Sequence, residues 1–339
     1  MNTEFDVIVI GAGIAGLSAA HCLQAAGKRV CVLDKSRGIG GRMASRRNHE
    51  LQWDHGAQYF TAQSPVFRAQ VAAWLKAKAV ARWKAPIAAW DGDVLSTTNA
   101  NARYVGTPFM KSPLNIMAKN LTLKLNTQVT AIEQKELGWL VKSDLQTWIA
   151  KQLVIALPAL QAQALLPQQH AANKVAENAL MEPCWAVMLS TETPLQLPYG
   201  GVFVNQGPFS WIAQDSTKPE RNLQQHSLQT WVLHATTAWS LTHLENSAAE
   251  VETLFVAEFN RLLRCWLPAS PPPIWKQISA HRWRYARGAI TELTSKHIWQ
   301  EDGLALAGDW LAGGRVEGAY LSGITAAQQL IIEQAQVTK

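Results

Sequence analysis

Apolar residues follow two rhythms along this chain. Short unbroken runs at 7–10, 30–33, 153–157 and 304–307 are rich in Val, Ile, Leu and Ala. Runs of that length suit strands buried on both faces, as in a parallel sheet. Elsewhere the apolar positions recur at helical spacing. Ala15, Ala19, Cys22 and Ala26 make a small-residue helix that Gly27 stops. Ser64-Pro65 opens a helix with Phe67, Val71, Trp74 and Leu75 on one face. Ser112-Pro113 opens another with Leu114, Met117, Ala118 and Leu121, and Ser247 caps a third carrying Val251, Leu254, Phe255, Phe259, Leu262 and Leu263. Residues 83–105 read as strands around an Asp91-Gly92 turn, and strands are expected at 127–133, 138–142, 184–190, 199–204 and 228–236. The whole reads as an α/β protein. From about 160 to 270 the chain is richer in Gln, Thr, Trp and Pro, and Pro271-Pro272-Pro273 is a rigid connector back.

The opening stretch carries the first chemistry. Gly11-Ala12-Gly13-Ile14-Ala15-Gly16 follows the first strand directly. Gly11 permits the turn, Gly13 lets the backbone approach a pyrophosphate, and Gly16 lets the helix lie close on the sheet. The helix begins there with free N–H groups and a positive dipole end. Asp34 ends the second strand about 20 residues on, where an acid accepts hydrogen bonds from an adenosine ribose. Strand, glycines, helix and acid together make a dinucleotide site rather than a packing turn. A second cluster follows, Ser36-Arg37-Gly38-Ile39-Gly40-Gly41-Arg42, which NAD does not need. It resembles the paired-glycine motif of flavoproteins in the amine oxidase and glutathione reductase-like group, where the loop follows the FAD pyrophosphate. Arg42 then supplies a charged donor to phosphate, and Arg37 reads as solvated.

The C-terminal segment repeats that logic. Leu304-Ala305-Leu306-Ala307 runs into Gly308-Asp309-Trp310, and Glu317-Gly318-Ala319 starts the last helix. Asp309 sits where a strand ends and can accept from a ribityl hydroxyl. The helix start at Gly318-Ala319 can favour the negative charge of a reduced flavin.

Bulk properties narrow the classes. The 339 residues are 48% hydrophobic and 17% charged, ordinary for a globular chain of one or two domains. Cys22, Cys31, Cys184 and Cys265 show no metal spacing, so neither a zinc site nor a disulfide scaffold is expected, and a reduced, cytoplasmic compartment is. No apolar run is long enough for a membrane span, and the N-terminal run lacks a basic leader. A net charge of +6 is spread rather than striped, which argues against nucleic acid but suits an anionic dinucleotide. No obligate protein partner is indicated.

Longer stretches resemble a known family. Residues 34–43, 51–60 with Gly56-Ala57-Gln58-Tyr59-Phe60, 103–106, 281–286 reading His281-Arg282-Trp283-Arg284-Tyr285-Ala286, and 306–310 resemble bacterial renalase-like FAD proteins of the flavin amine oxidase superfamily. The resemblance implies a p-hydroxybenzoate hydroxylase-like fold, in which a Rossmann-type FAD-binding domain carries an inserted mixed-sheet substrate domain. It places the FAD part at 1–75, 105–160 and 274–339, and the substrate part at 76–104 and 161–273. The implied cofactor set adds Lys35, Gly41, Gly56, Ala57, Gln58 and Val129 to Gly11, Gly13, Ile14, Ala15, Gly16, Asp34, Arg42, Gly308, Asp309, Gly318 and Ala319. The loop 311–317 has no cysteine, so FAD is expected to be non-covalent.

The implied activity is oxidation of 2- and 6-dihydro isomers of NAD(P)H to NAD(P)+, with O2 returned as H2O2. A dihydronicotinamide surrenders hydride directly and needs no base, only a donor carbon held at near-attack distance. The chain shows no nucleophile–base constellation. Gln58, Tyr59, Trp283, Arg284, Tyr285 and Trp310 are the candidates for an aromatic slot with donors. Trp283 and Trp310 read equally well as core tryptophans, and Arg284 as half of an ion pair. His234 and His281 read as structural. Rival readings are a flavin amine oxidase or desaturase and a non-catalytic binding protein like the Rab GDP-dissociation inhibitors. A plain NAD-dependent dehydrogenase is the third.

Overall fold

The computed structural model describes residues 5–49, 51–98, 101–136, 138–221, 228–290 and 299–337. The strand Phe5–Ile10 lies at the centre of an eight-stranded sheet. It runs parallel to Val30–Leu33 on one side and to Thr147–Ile155 on the other. Thr122–Lys124 adds a further parallel strand beyond Val30–Leu33. Antiparallel strands Gly138–Ser143 and Val129–Lys135 extend the other side. Val7, Ile8 and Val9 are fully buried, which is why the run reads as unbroken rather than alternating.

Two helices cross on one face of this sheet. Ile14–Ala25 follows the glycine loop, and Val316–Val337 packs against it. The first helix lies backbone-close on its own glycine loop, and the last helix lies backbone-close on the first. A Cβ on Gly16 would lie 1.9 Å from Gly11 O, and one on Gly323 would lie 2.1 Å from Ala15 O and from Ser18 Oγ. These approaches set both helix starts at the edge where the Phe5–Ile10 and Leu304–Leu306 strands end.

A second sheet has seven strands in the order Trp275–Ile290, Ala179–Thr191, Gln229–Ala235, Phe209–Gln214, Gly201–Val204, Ile87–Trp90, Leu95–Thr97. One face is covered by the helix Ala248–Trp266, whose Phe255 and Phe259 pack with Trp231 and Val187. A capping box between Ser247 and Glu250 starts that helix. The other face turns toward the first sheet's loops, with Met188 and Val232 against Leu51 and Trp53.

Two expected boundaries shift. The resemblance puts the segment from 274 with the cofactor part, yet Trp275–Ile290 is an edge strand of the second sheet, paired along Ala179–Thr191. Conversely, the resemblance puts residues 161–178 with the substrate part, but Ala162, Ala172 and Ala176 are buried in the core of the first sheet. The short helices Ala159–Leu165 and Ala171–Glu177 there bury small residues against the first sheet, which covers their apolar sides.

Gly323→Ala is expected to push the two crossing helices apart and cost about 1–3 kcal/mol. Chemical denaturation would show it as a lower midpoint with an unchanged slope. A wild-type midpoint would mean the contact has slack.

Candidate functional site

The glycine loop, the paired-glycine loop and Asp34 meet at one edge of the first sheet. Asp34 Oδ2 accepts from Ala12 N at 2.7 Å, and Oδ1 accepts from Ser36 N at 2.7 Å. Gly40 N donates to Ala12 O, and Gly41 lies against Gly13. The helix Ile14–Ala25 has no side-chain cap, and a Cβ on Gly13 would meet nothing within 4 Å. Open space therefore stands before bare N–H groups and a positive dipole end, which fits a pyrophosphate. Thr127 N donates to Asp34 O, which brings Val129 to the same edge. Lys35 is exposed beside it.

Arg42 and Asp309, expected on phosphate and ribityl groups, meet each other. Arg42 Nη2 lies 2.5 Å from Asp309 Oδ1, and Nη1 donates to Asp309 Oδ2 at 2.9 Å and to Ala286 O at 3.1 Å. They tie the paired-glycine loop, the C-terminal segment and the long Trp275–Ile290 strand together. Gly308 N donates to Ser322 Oγ, and Gly318 and Ala319 sit in the buried first turn of the last helix. Ala57 N donates to Arg42 O, so the Gly56-Ala57 loop lies on the same structure.

Above that loop the second sheet presents its inner face. Trp283 Nε1 donates to His55 O at 3.0 Å, and a Cβ on Gly56 would lie 3.3 Å from the Trp283 ring. His55, His281 and Trp283 are packed at 4.3–5.0 Å between centroids. His234 Nε2 donates to His55 O at 3.0 Å. Farther along, Tyr59 lies 5.5 Å from Trp211 and 6.3 Å from Trp83, and Phe203 lies 4.7 Å from Trp211. Tyr285 is half-buried in a stretch where the register against Ala179–Thr191 shifts.

Four buried charges hold this face to the loop. Lys218 Nζ lies 2.5 Å from Asp215 Oδ1 and 3.1 Å from Asp54 Oδ2, and Arg221 Nη2 lies 2.6 Å from Asp54 Oδ2. Ser45 Oγ donates to Asp54, and Arg221 also donates to Gly106 O and Pro108 O. Burial works against ionising Asp54, but Lys218 and Arg221 outweigh it and hold its carboxyl at about 2. Burial pushes the Asp215 carboxyl up. Burial, with neighbouring positive charge, holds the His55 imidazole at about 3 and His234 at about 4, and depresses His281 as well. All three rings are neutral at pH 7.

Three expected slot residues belong elsewhere. Arg284 alternates to the opposite face of its strand, exposed, where Nη1 and Nη2 grip the two Glu245 oxygens at 2.7 and 2.8 Å. Trp310 is 1% exposed in the core on the other side of the first sheet, with Nε1 donating to Leu157 O. Gln58 is buried with its amide donating to Asp54 O and its oxygen 3.4 Å from Lys218 Nζ, so it serves the charge cluster. Reading the sequence alone missed that cluster, His55 and the rings at 203 and 211. The adjacent Asp54-His55 before a glycine was the available signal.

Among known proteins, a model of NAD(P)-binding Rossmann-like domains matches residues 9–74, and a model of flavin containing amine oxidoreductases matches residues 87–331. An L-amino-acid oxidase of Siganus canaliculatus is 43% identical over 70 residues, 20% of this chain and 13% of that protein. One of Echis ocellatus is 48% identical over 48 residues, 14% of this chain and 10% of its own length. These matches thus span only about an eighth or less of those relatives. The crystal structure of a putative protoporphyrinogen oxidase from Exiguobacterium sp. 255-15 superposes with TM-score 0.76 at 12% identity, over 98% of this chain and 100% of that one. Cyclohexylamine oxidase from Brevibacterium oxydans IH-35A gives 0.76 at 14%, over 98% and 99%. At these identities the likeness is one of fold.

The imidazoles make an acid-labile site. Their folded pKa values lie below the ordinary 6.5, so the unfolded chain takes up protons that the folded one refuses. Stability is full above about pH 6.5 and drains as pH falls toward 4 and 3, at about 1.4 kcal/mol per pH unit per imidazole. Melting temperatures from pH 7 to 4 should fall, and less steeply in His234→Gln. Equal slopes would remove His234 from the account.

Proposed function

This chain belongs to the family of flavin containing amine oxidoreductases, and from that premise we propose that it is an oxidase of dihydronicotinamide dinucleotides, renalase-like in converting 2- and 6-dihydro isomers to NAD(P)+. Its cofactor is FAD, for which the glycine loops, Asp34 and the last helix start form the cradle, with the Arg42–Asp309 pair joining the segments around it. When bound, FAD accepts the hydride and passes its electrons to O2, giving H2O2.

The acid–base inventory beside the Gly56-Ala57 loop carries this reading. Asp54 is held ionised by Lys218 and Arg221, and Asp215, though burial pushes its carboxyl up, is fully buried with Oδ1 committed to Lys218, so neither is presented to a substrate proton. His55 and His234, at about 3 and 4, are poor bases at neutral pH. An ammonium substrate must lose a proton before it can give up hydride. A dihydronicotinamide already holds the electron density and becomes an aromatic cation as hydride leaves, so it asks nothing of these groups. What it needs is a flat slot that excludes water, and the rings of Trp283, Tyr59, Trp211 and Phe203 supply apolar walls. A cavity of about 230 Å3 between Arg46, Arg47, Trp53 and Gln277 gives the far end of the same sheet face a positive rim that favours a polyanion. Oxidation of a neutral, already deprotonated amine is the second reading, favoured by the same aromatic walls.

Anaerobic titration of the flavin absorbance tests this. Borohydride-reduced NAD+, a mixture of dihydro isomers, should bleach the flavin rapidly, and air should restore it with peroxide formed. Pure 1,4-NADH and a panel of amines should act far more slowly. Bleaching by an amine alone would keep the cofactor and discard the substrate.

A further inference from the structure

Two donors lack an acceptor where the two-stranded ladder of Val80–Trp83 and Arg103–Gly106 meets the inner face of the second sheet. Arg103 begins the strand Arg103–Gly106 and is half-buried. Its guanidinium carbon lies 5.1 Å from the Tyr59 ring centroid and 5.9 Å from that of Phe203. Its Nε is buried with no hydrogen-bond partner, and no carboxylate pairs with it among the described residues. The neighbouring buried cations, Lys218 and Arg221, are both paired. Trp211 belongs to the same ring cluster, 4.7 Å from Phe203 and 5.5 Å from Tyr59, and its Nε1 is likewise buried without a partner.

The chemistry of the missing group follows. Guanidinium stays protonated in a protein, so the charge cannot be relieved by titration. Aromatic faces attract the cation but do not meet its N–H groups, which point outward in the guanidinium plane. A guanidinium fork packed on the same two rings as an unpartnered indole N–H calls for an oxygen acceptor carrying negative charge, since such groups match the fork. Buried donors without acceptors are rare in native structures and each calls for a reason; here a fixed charge and an indole N–H share one ring cluster, and an arriving acceptor satisfies both.

We propose that Arg103, with Trp211, forms an anion subsite that takes an acidic oxygen group of the substrate, a carboxylate or a phosphate, and so selects acidic substrates over cationic amines. This rests on the reading above that the face over the Gly56-Ala57 loop receives the substrate. Arg103 is a specificity residue there, apart from the hydride-transfer chemistry. A positive charge held among rings of low polarity repels an ammonium group and attracts an acid strongly, because little water screens it.

The test uses FAD-loaded wild type, Arg103→Gln and Arg103→Lys, with flavin loading and melting temperature checked first. Benzoate, phenyl phosphate and neutral benzamide are titrated while the flavin absorbance is followed. Wild type should bind an acidic probe in preference to benzamide. Arg103→Gln should lose that preference by roughly tenfold to a hundredfold, and Arg103→Lys should retain part of it. Whichever of benzoate or phenyl phosphate binds more tightly identifies the acid. In turnover, the preference for dihydronicotinamide dinucleotides over the phosphate-free riboside should collapse in Arg103→Gln. If no dihydronicotinamide reduces the flavin, the functional reading fails while this one is still decided: amino acids against their decarboxylated amines give the same comparison. Arg103→Gln with wild-type constants for every acidic ligand would overturn the subsite, as would a wild type indifferent to charge.

Discussion

Asp54, Asp215, Lys218 and Arg221 must stay together or not be buried at all. Each has left water at a cost of several kcal/mol, and only mutual attraction with well-placed hydrogen bonds offsets it. The two carboxylates come from opposite parts of the molecule. Asp54 follows the Leu51–Trp53 strand, whereas Asp215 follows a strand of the second sheet. Removing one partner would leave an unpaired buried charge, at about 3–5 kcal/mol. The second sheet is therefore fixed over the Gly56-Ala57 loop by a contact that tolerates little displacement, and the geometry of the aromatic face follows from that.

That constraint also shapes the chemistry. A buried ion cluster consumes the carboxylates that could have served as bases, and the dry space around it weakens the imidazoles of His55 and His234. What remains beside the cofactor cradle is walls, a cation and neutral donors. Such a site can orient a substrate and exclude water, and it suits a donor that gives up hydride without first losing a proton. The Arg42–Asp309 pair extends the same principle to the cradle, joining three chain segments through one ionic contact.

The sequence displays what local signals encode. The opening strand, the glycine loop, Asp34, and the caps at Ser64 and Ser247 are each legible because backbone geometry demands those residue types within a few positions. The sixteen-residue strand from Trp275 to Ile290 is not legible as a strand, since its Gln, Ser, His and Arg positions hide the alternation. Alternation nevertheless explains why Arg284 leaves the site while Trp283 faces it. Trp310 misled because a residue after a strand buried on both sides can turn either way. The charge cluster was hidden for a different reason: its members are separated by up to 167 residues, and charged residues pattern as exposed.

A crystal structure of the FAD-loaded protein tests the central claim most directly, namely that hydride transfer takes place between the Gly56-Ala57 loop and the inner face of the second sheet. The account predicts that the reactive N5 edge of the flavin faces the space bounded by Gly56, Tyr59 and Trp283, with Arg103 within reach across it. A flavin whose reactive edge is turned toward the core around Trp310, or walled off from Tyr59 and Trp283, would contradict it.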